Sequence, residues 1–207
     1  MRLICFGDSW TAGHGVELNN KYKEVAHPDM FTQKLREQNS WPRWLANQIN
    51  CLYVNLGVCG FGNHFIYKEI DACINDNMID KNDIIIVMFS YPYRYKKYDE
   101  WGVVELFWKI EELLKNYRHY YFNSFYPTFK LEDFDVANLP KSFINPTKTI
   151  SEVLKEYEIL NDKSVWEYDS RSVWNDEKNY WEGDYHPNAL GYKIIGEYIY
   201  NQIKNEL

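Results

Sequence analysis

Residues 84–89 read Ile-Ile-Ile-Val-Met-Phe, an unbroken apolar run that directly follows Asp83. A strand with one buried face alternates apolar and polar residues, whereas a run without polar interruption is typical of a strand buried on both faces. Such strands belong to parallel sheets that carry helices on both faces. This run therefore favours the α/β class of folds.

Short apolar segments alternate along the chain with segments of helical periodicity. Besides residues 84–89, the pattern predicts strands at residues 3–6, 52–56, 120–125 and 165–168. Helical spacing of apolar residues predicts helices at residues 41–49, 63–73, 103–114, 151–160 and 187–203. Ser40 is expected to cap the first of these helices, with Pro42 in its first turn. The alternation predicts a central parallel sheet of about five strands between two helical layers.

The chain of 207 residues is expected to form a single domain over residues 1–207. In open parallel sheets the active site lies at the carboxyl ends of the strands. Three polar or aromatic segments follow predicted strand ends, at residues 11–39, 90–101 and 126–149. We expect these segments to be loops that form the walls of a cleft.

Charge and composition exclude several classes of function. The net charge is −7, and no basic run is present, which argues against nucleic-acid binding. Residues 3–6 are too short an apolar run for a signal peptide, and no stretch could span a bilayer, so a cytoplasmic protein without membrane insertion is expected. The cysteines (Cys5, Cys51, Cys59 and Cys73) lack zinc-site spacing and are predicted to be reduced thiols.

The glycines of residues 57–62 do not match the dinucleotide-binding fingerprint, which has a different order of glycines. We therefore expect no cofactor and no metal.

Two short motifs carry the residue types of nucleophilic catalysis. Residues 7–9 read Gly-Asp-Ser and end the first predicted strand, so Ser9 is expected to present its hydroxyl above the sheet. Residues 184–188 read Asp-Tyr-His-Pro-Asn and precede the last predicted helix, with Pro187 at the first helical position and His186 at its edge. A serine hydroxyl activated by an imidazole is the chemistry that this pair favours.

These two motifs, together with Asn-Leu-Gly-Val-Cys-Gly at residues 55–60 and the continuation Ala-Leu-Gly-Tyr at residues 189–192, resemble the SGNH (GDSL) hydrolase superfamily. The order of the motifs, their strand contexts and their spread over nearly the whole chain carry the resemblance. It implies a flavodoxin-like three-layer α/β/α fold and Ser–His esterase chemistry.

The resemblance also implies roles for individual residues. Ser9 would be the nucleophile and His186 its general base, and the amides of Ser9 and Gly60 would donate to the oxyanion. The family's Gly-x-Asn-Asp block after the third strand has no counterpart in residues 89–94, so the third oxyanion donor is open. Ser90 is the first choice, and Tyr91 and Asn63 are alternatives.

The acid that orients the imidazole departs from the family's Asp-x-x-His spacing, because Gly183 stands three residues before His186. Asp184 would serve if the segment is extended, since residues two apart then share a face. Glu182 is the alternative, and a backbone carbonyl would leave a Ser–His dyad. We favour Asp184.

Two further polar residues near the motifs have other expected roles. Asp8 is expected to accept hydrogen bonds from the backbone of its turn. Arg94 is expected either to hold an anionic group of the substrate or to form a surface ion pair.

The expected activity is hydrolysis of an ester, with removal of O-acetyl groups from a carbohydrate as the favoured reaction. Aromatic faces stack on sugar rings, and aromatic residues crowd the expected cleft loops: Tyr91, Tyr93, Tyr95, Trp101 and Tyr126. The substrate would thus be a small-molecule or glycan ester. The alternatives are a lipid ester or thioester hydrolase, and a non-catalytic glycan-binding or structural module on a degenerate hydrolase fold.

Overall fold

A computed structural model describes residues 1–14, 30–60, 62–90, 102–124, 139–169 and 184–207. Its strands are β1 (Arg2–Gly7), β2 (Leu52–Gly57), β3 (Ile84–Phe89), β4 (Arg118–Asn123), β5 (Trp166–Asp169) and β6 (Asp184–Pro187). Its helices are α1 (Ser9–Ala12), α2 (Met30–Asn39), α3 (Trp41–Gln48), α4 (Asn63–Asn75), α5 (Val103–Leu114), α6 (Ile150–Asn161) and α7 (Ala189–Ile203).

The central sheet is parallel, as predicted. Its described strands stand in the order β2-β1-β3-β4, and β1 pairs with β2 on one side and with β3 on the other. Phe6 of β1 lies opposite Leu56 of β2 and Val87 of β3, so these three strands end close together. The loops that follow them therefore meet at one edge of the sheet, where such folds bind ligands.

Helices cover both faces of this sheet. Alternate strand residues point to opposite faces, and the two sets of residues belong to separate apolar clusters. One cluster joins Leu3 and Ile86 to α3, α6 and α7, and the other joins Ile4 and Val87 to α4 and α5. All six residues of β3 are buried, which explains their unbroken apolar character. The architecture is thus a three-layer α/β/α arrangement.

Most predicted elements are present with small shifts in their ends. The bounds of β3 and α5 are those predicted, because strong periodicity and clear flanking residues mark both segments. The helix predicted at residues 151–160 is α6, which starts one residue earlier. Thr149 and Glu152 form a reciprocal capping box there, which defines the start of the helix.

The fifth predicted strand takes a different partner. The segment predicted at 165–168 is β5, but it pairs antiparallel with β6 instead of joining the parallel sheet. The position beside β4 is filled by an earlier segment, through parallel bridges from Phe143 to Tyr121 and from Thr149 to Asn123. Of the residues the structure describes, the parallel sheet therefore contains four named strands.

Two local predictions were wrong. The last helix begins at Ala189, and Pro187 ends β6 instead of starting the helix. Asn188 caps this helix by accepting from the amide of Gly191, and asparagine is among the best capping residues. The expected loop at 11–39 contains α1 and α2. In the parts of the chain that the structure describes, no helix has the length and apolarity to cross a bilayer.

Candidate active site

Ser9 stands at the first position of α1, directly after β1. Asp8 caps this short helix: one oxygen of its carboxylate accepts from the amide of Trp10 at 3.0 Å. This is the backbone-bonding role predicted for Asp8. Position 7 requires a glycine because Thr11 packs closely against it: a Cβ atom there would lie 2.1 Å from Oγ1 of Thr11. The turn of α1 therefore sits tightly across the end of β1 and lifts Ser9 above the sheet edge.

His186 lies in β6, and contacts with its neighbours fix this strand. The Asn188 amide donates to the carbonyl of Val165 at 2.9 Å, and the Asn188 side chain donates to the carbonyl of Ser164 at 3.1 Å. The indole of Trp166 in β5 packs against that of Trp10 in α1, with ring centroids 5.6 Å apart. This contact ties the β5–β6 pair to the helix that carries Ser9.

The two predicted catalytic side chains meet. Nε2 of His186 lies 3.1 Å from Oγ of Ser9, although 177 residues separate them along the chain. Both are buried, with 3% of Ser9 and 1% of His186 exposed. A hydroxyl and an imidazole nitrogen at this distance share a hydrogen bond, which is the starting arrangement for proton transfer from serine to histidine.

The loop after β2 is held against the same edge. The amide of Val58 donates to the carbonyl of Gly7 at 3.1 Å. The side chain of Asn55 donates to the carbonyl of Thr11 at 2.9 Å and accepts from the amide of Gly57 at 3.0 Å. Gly60, with φ of 86°, follows in this loop and has the left-handed conformation that favours glycine. The predicted oxyanion glycine thus belongs to a loop anchored to β1 and α1.

The end of β3 joins the site through a buried polar network. The Ser90 hydroxyl donates to Oδ2 of Asp8 at 2.6 Å. The Ser90 amide donates to Oδ1 of Asn63 at 2.7 Å, and Nδ2 of Asn63 donates back to the Ser90 carbonyl at 3.1 Å. A hydroxyl has one proton to donate, so in this arrangement Ser90 braces Asp8 and has none to offer an oxyanion. Asn63 has two amide protons and uses one on Ser90.

Several predicted residues lie outside the described part of the chain. These are Glu182, Tyr91, Arg94 and the aromatic residues of the expected cleft loops: Tyr93, Tyr95, Trp101 and Tyr126. Asp184 belongs to β6 by its backbone, which pairs with that of Asp169, and its side chain also lies outside the described part. The extended backbone that we expected before Pro187 is observed.

Three contacts of the site were not predicted from the sequence, which indicated Ser90 as an oxyanion donor. Asn55 anchors the Gly60 loop, Ser90 braces Asp8, and Nδ1 of His14 lies 3.2 Å from Nε2 of His186. The motif at residues 55–60 was the only local signal for Asn55. No local pattern could place His14 beside a residue 172 positions away.

A cavity of about 640 Å³ opens beside α1 and the loop after β2. Its lining mixes polar side chains with apolar ones and includes Ala12, Gln33, Arg36, Asn55 and Val58. It has room for a small polar molecule next to the helix that carries Ser9.

Three of the four cysteines are poor competitors of Ser9 as nucleophiles. None of the four is joined in a disulfide. Burial raises the pKa of Cys5 well above its usual value and also raises the pKa of Cys51 and of Cys73. A buried protonated thiol is a poor nucleophile. Within the described ranges, no cluster of three metal-ligating side chains occurs.

A comparison with solved structures finds proteins of similar fold whose sequence identity to this chain is low. A member of the lipolytic protein G-D-S-L family from Veillonella parvula has a TM-score of 0.48 and 18% identity, with 100% of each chain covered. A psychrotrophic esterase from Pseudoalteromonas has a TM-score of 0.48 and 13% identity over 99% of this chain and 97% of its own. A family 3 carbohydrate esterase from Clostridium thermocellum has a TM-score of 0.47 and 14% identity over 100% of this chain and 96% of its own.

No protein-family model and no curated protein sequence matches the chain. Similarity at this level assigns no activity to the chain.

Proposed function

We propose that this protein is a serine esterase. The observation that carries the proposal is the buried contact between Ser9 Oγ and His186 Nε2, at 3.1 Å, at the carboxyl end of a parallel sheet. Buried polar side chains that meet across the fold normally serve structure or chemistry. A nucleophile within hydrogen-bond reach of a base, at the ligand-binding edge, favours chemistry.

The reaction follows from this pair. Ser9 attacks the ester carbonyl, its proton moves to Nε2 of His186, and the carbonyl electrons move onto the oxygen. The tetrahedral intermediate then loses the alcohol, which takes the proton from Nε2, and an acyl-enzyme remains. Water repeats the cycle: it gives its proton to His186, attacks the acyl group, and releases the acid and Ser9.

The oxyanion would be held by the amides of Ser9 and Gly60. Ser9 is at the first position of α1, where an amide has no acceptor within its own helix. The bracing role of Ser90 favours Asn63 as the side-chain donor, because it has an amide proton beyond the one given to Ser90. Either Asp184 or Glu182 would hold the His186 ring in the required tautomer.

The favoured substrate is an O-acetylated carbohydrate. The cavity beside α1 contains polar side chains, among them Gln33, Arg36 and Asn55, which can hydrogen-bond the hydroxyls of a sugar and orient it. The aromatic residues that the sequence concentrates in segments 90–101 and 126–149 are of the type that stacks on sugar rings.

A fluorophosphonate probe, which phosphonylates activated serines, tests the proposal. We expect one label per chain, mapped by mass spectrometry to Ser9, and no label in Ser9→Ala. Ser90→Ala is the matched control, because it also removes a buried serine hydroxyl at the same edge, and it should remain labelled. Unlabelled wild-type protein would instead favour a non-catalytic glycan-binding module.

Substrate assays then separate the ester classes. Acetylated xylo-oligosaccharides and acetyl esters should be hydrolysed faster than octanoyl esters. Faster cleavage of octanoyl esters or of acyl thioesters would contradict the carbohydrate hypothesis and favour a lipid ester or thioester hydrolase.

A further inference from the structure

His14 contacts the base of the proposed catalytic pair. Nδ1 of His14 lies 3.2 Å from Nε2 of His186, and the ring centroids are 4.3 Å apart in an edge-on arrangement. The same Nε2 lies 3.1 Å from Oγ of Ser9. Two groups therefore stand within hydrogen-bond distance of a single nitrogen.

The proton inventory of imidazole makes these two contacts competitors. A neutral imidazole has one N–H and one nitrogen lone pair. To accept the Ser9 proton, Nε2 of His186 must be unprotonated. It then has one lone pair and can only accept a hydrogen bond. His14 then faces it with an Nδ1–H, because two lone pairs at this distance would repel each other. In the free protein, Ser9 and His14 share one acceptor.

The reaction requires other groups to approach Nε2 of His186, and His14 Nδ1 stands at the distance from Nε2 that they need. In the proposed mechanism, Nε2 of His186 gives its proton to the departing alcohol oxygen and later takes one from water. Each of these oxygens must come within about 3.2 Å of Nε2 without displacing Ser9. Nδ1 of His14 already stands at that distance from Nε2.

The backbone of His14 is held by two hydrogen bonds, so we expect any movement of this residue to come from its side chain. Its amide donates to the carbonyl of Ser9 at 3.0 Å, and its carbonyl accepts from the hydroxyl of Tyr192 at 2.5 Å. Tyr192 is fully buried in α7, the helix that follows His186. Rotation of the His14 side chain would open the position beside Nε2 without disturbing Ser9 or His186.

We infer that His14 occupies the leaving-group position of the site in the free protein and competes with Ser9 for His186 until the alcohol portion of the substrate displaces it. This inference rests on the proposed esterase function. It makes His14 a residue that selects for the alcohol, since only an alcohol able to displace an imidazole N–H gains full access to Nε2. A fluorophosphonate has no alcohol to protonate: the Ser9 proton moves to His186, the Oγ–P bond forms and fluoride leaves.

The rate of Ser9 phosphonylation tests the competition. In His14→Ala the lone pair of His186 is freed, and labelling should accelerate about 2- to 10-fold, the factor that one net hydrogen bond represents. His14→Asn is the matched control, because its amide nitrogen stands at the same position along the side chain as Nδ1 and can still donate. The labelling rate of His14→Asn should stay within about twofold of the wild-type rate, because hydrogen bonds of similar type differ in strength by only about 0.5 kcal/mol.

The outcomes separate this inference from the function on which it depends. Labelling of wild-type Ser9 with no acceleration in folded His14→Ala overturns the inference alone. Equal acceleration in His14→Asn and His14→Ala also overturns it, because loss of the donor would then be irrelevant. Absence of labelling at Ser9 in every variant overturns both proposals.

A spectroscopic measurement on the unaltered protein tests the same contact without relying on activity. Long-range ¹H–¹⁵N correlation spectra at alkaline pH distinguish the two neutral tautomers of each histidine, and comparison with His14→Asn assigns the signals. We expect His14 as the Nδ1–H tautomer. The Nε2–H tautomer for His14 would remove its donor toward His186 and overturn the inference.

Discussion

The bond between Ser90 and Asp8 separates a structural role from a catalytic one. Ser90 stands where the resemblance would place an oxyanion donor, but its hydroxyl donates to Oδ2 of Asp8 at 2.6 Å. Ser90 is 1% exposed and Asp8 is fully buried. Removal of the hydroxyl in Ser90→Ala therefore leaves a buried carboxylate oxygen without this donor, and water has little access to replace it.

The expected cost can be estimated from these contacts. A hydrogen bond to a charged group contributes about 1.5–3 kcal/mol to the free energy of unfolding. For a chain of about 200 residues, 1 kcal/mol corresponds to roughly 2–4 °C in Tm, so the loss should lower Tm by about 3–12 °C. Differential scanning calorimetry measures this shift.

Ser124→Ala is the matched control for Ser90→Ala. Ser124 is also buried at the end of its strand, and its hydroxyl donates to the carbonyl of Phe89 at 2.6 Å. That acceptor is neutral, so its loss should cost only about 0.5–1.5 kcal/mol. The difference between the two variants isolates the effect of the Asp8 carboxylate.

Kinetics on an acetyl ester provide the second readout. A bracing hydroxyl should leave kcat of Ser90→Ala within about tenfold of wild type, whereas removal of an oxyanion donor typically lowers kcat by about 10²–10³. A Tm of Ser90→Ala equal to that of wild type would refute the structural role of the hydroxyl. A loss of kcat of about 10²–10³ would indicate instead that Ser90 is an oxyanion donor.

Two further predictions concern the acid of the site and the pH dependence of stability. Asp184→Asn should lower esterase activity more than Glu182→Gln, because residues two apart in the extended β6 share a face. A larger loss in Glu182→Gln would contradict this, and wild-type activity in both variants would indicate a Ser–His dyad. Burial alone would raise the pKa of Asp83, but hydrogen bonds from Arg2 and the Asp80 amide outweigh burial and hold that pKa below its usual value. Because the folded pKa is lowered, the ionised carboxylate stabilises the protein above the usual pKa of about 3.9, and this stability is lost as pH falls toward the folded value. Urea unfolding of Asp83→Asn should thus show a deficit at neutral pH that narrows below about pH 4, and a deficit constant with pH would contradict it.

The sequence predicts elements best where one local pattern decides the structure. The unbroken apolar run of β3 and the helical spacing of α5 specify their own ends, and both were predicted to the residue. Ser9 and His186 were predicted as partners because their residue types and strand contexts match a known reaction, and they lie 3.1 Å apart. For β3 and α5 the information needed is contained in a few neighbouring residues, whereas the pairing of Ser9 with His186 came from the resemblance of several separate motifs to a known family.

Only the tertiary structure decides which distant segments share an edge. The pairing of β5 with β6 depends on the segment that includes Phe143 and Thr149, which already occupies the position beside β4. The bond from Ser90 to Asp8 spans 82 residues, and the approach of His14 to His186 spans 172. Hydrogen bonds of this kind depend on ångström-scale packing of whole layers, and no residue pattern along the chain encodes which polar side chains that packing brings within reach.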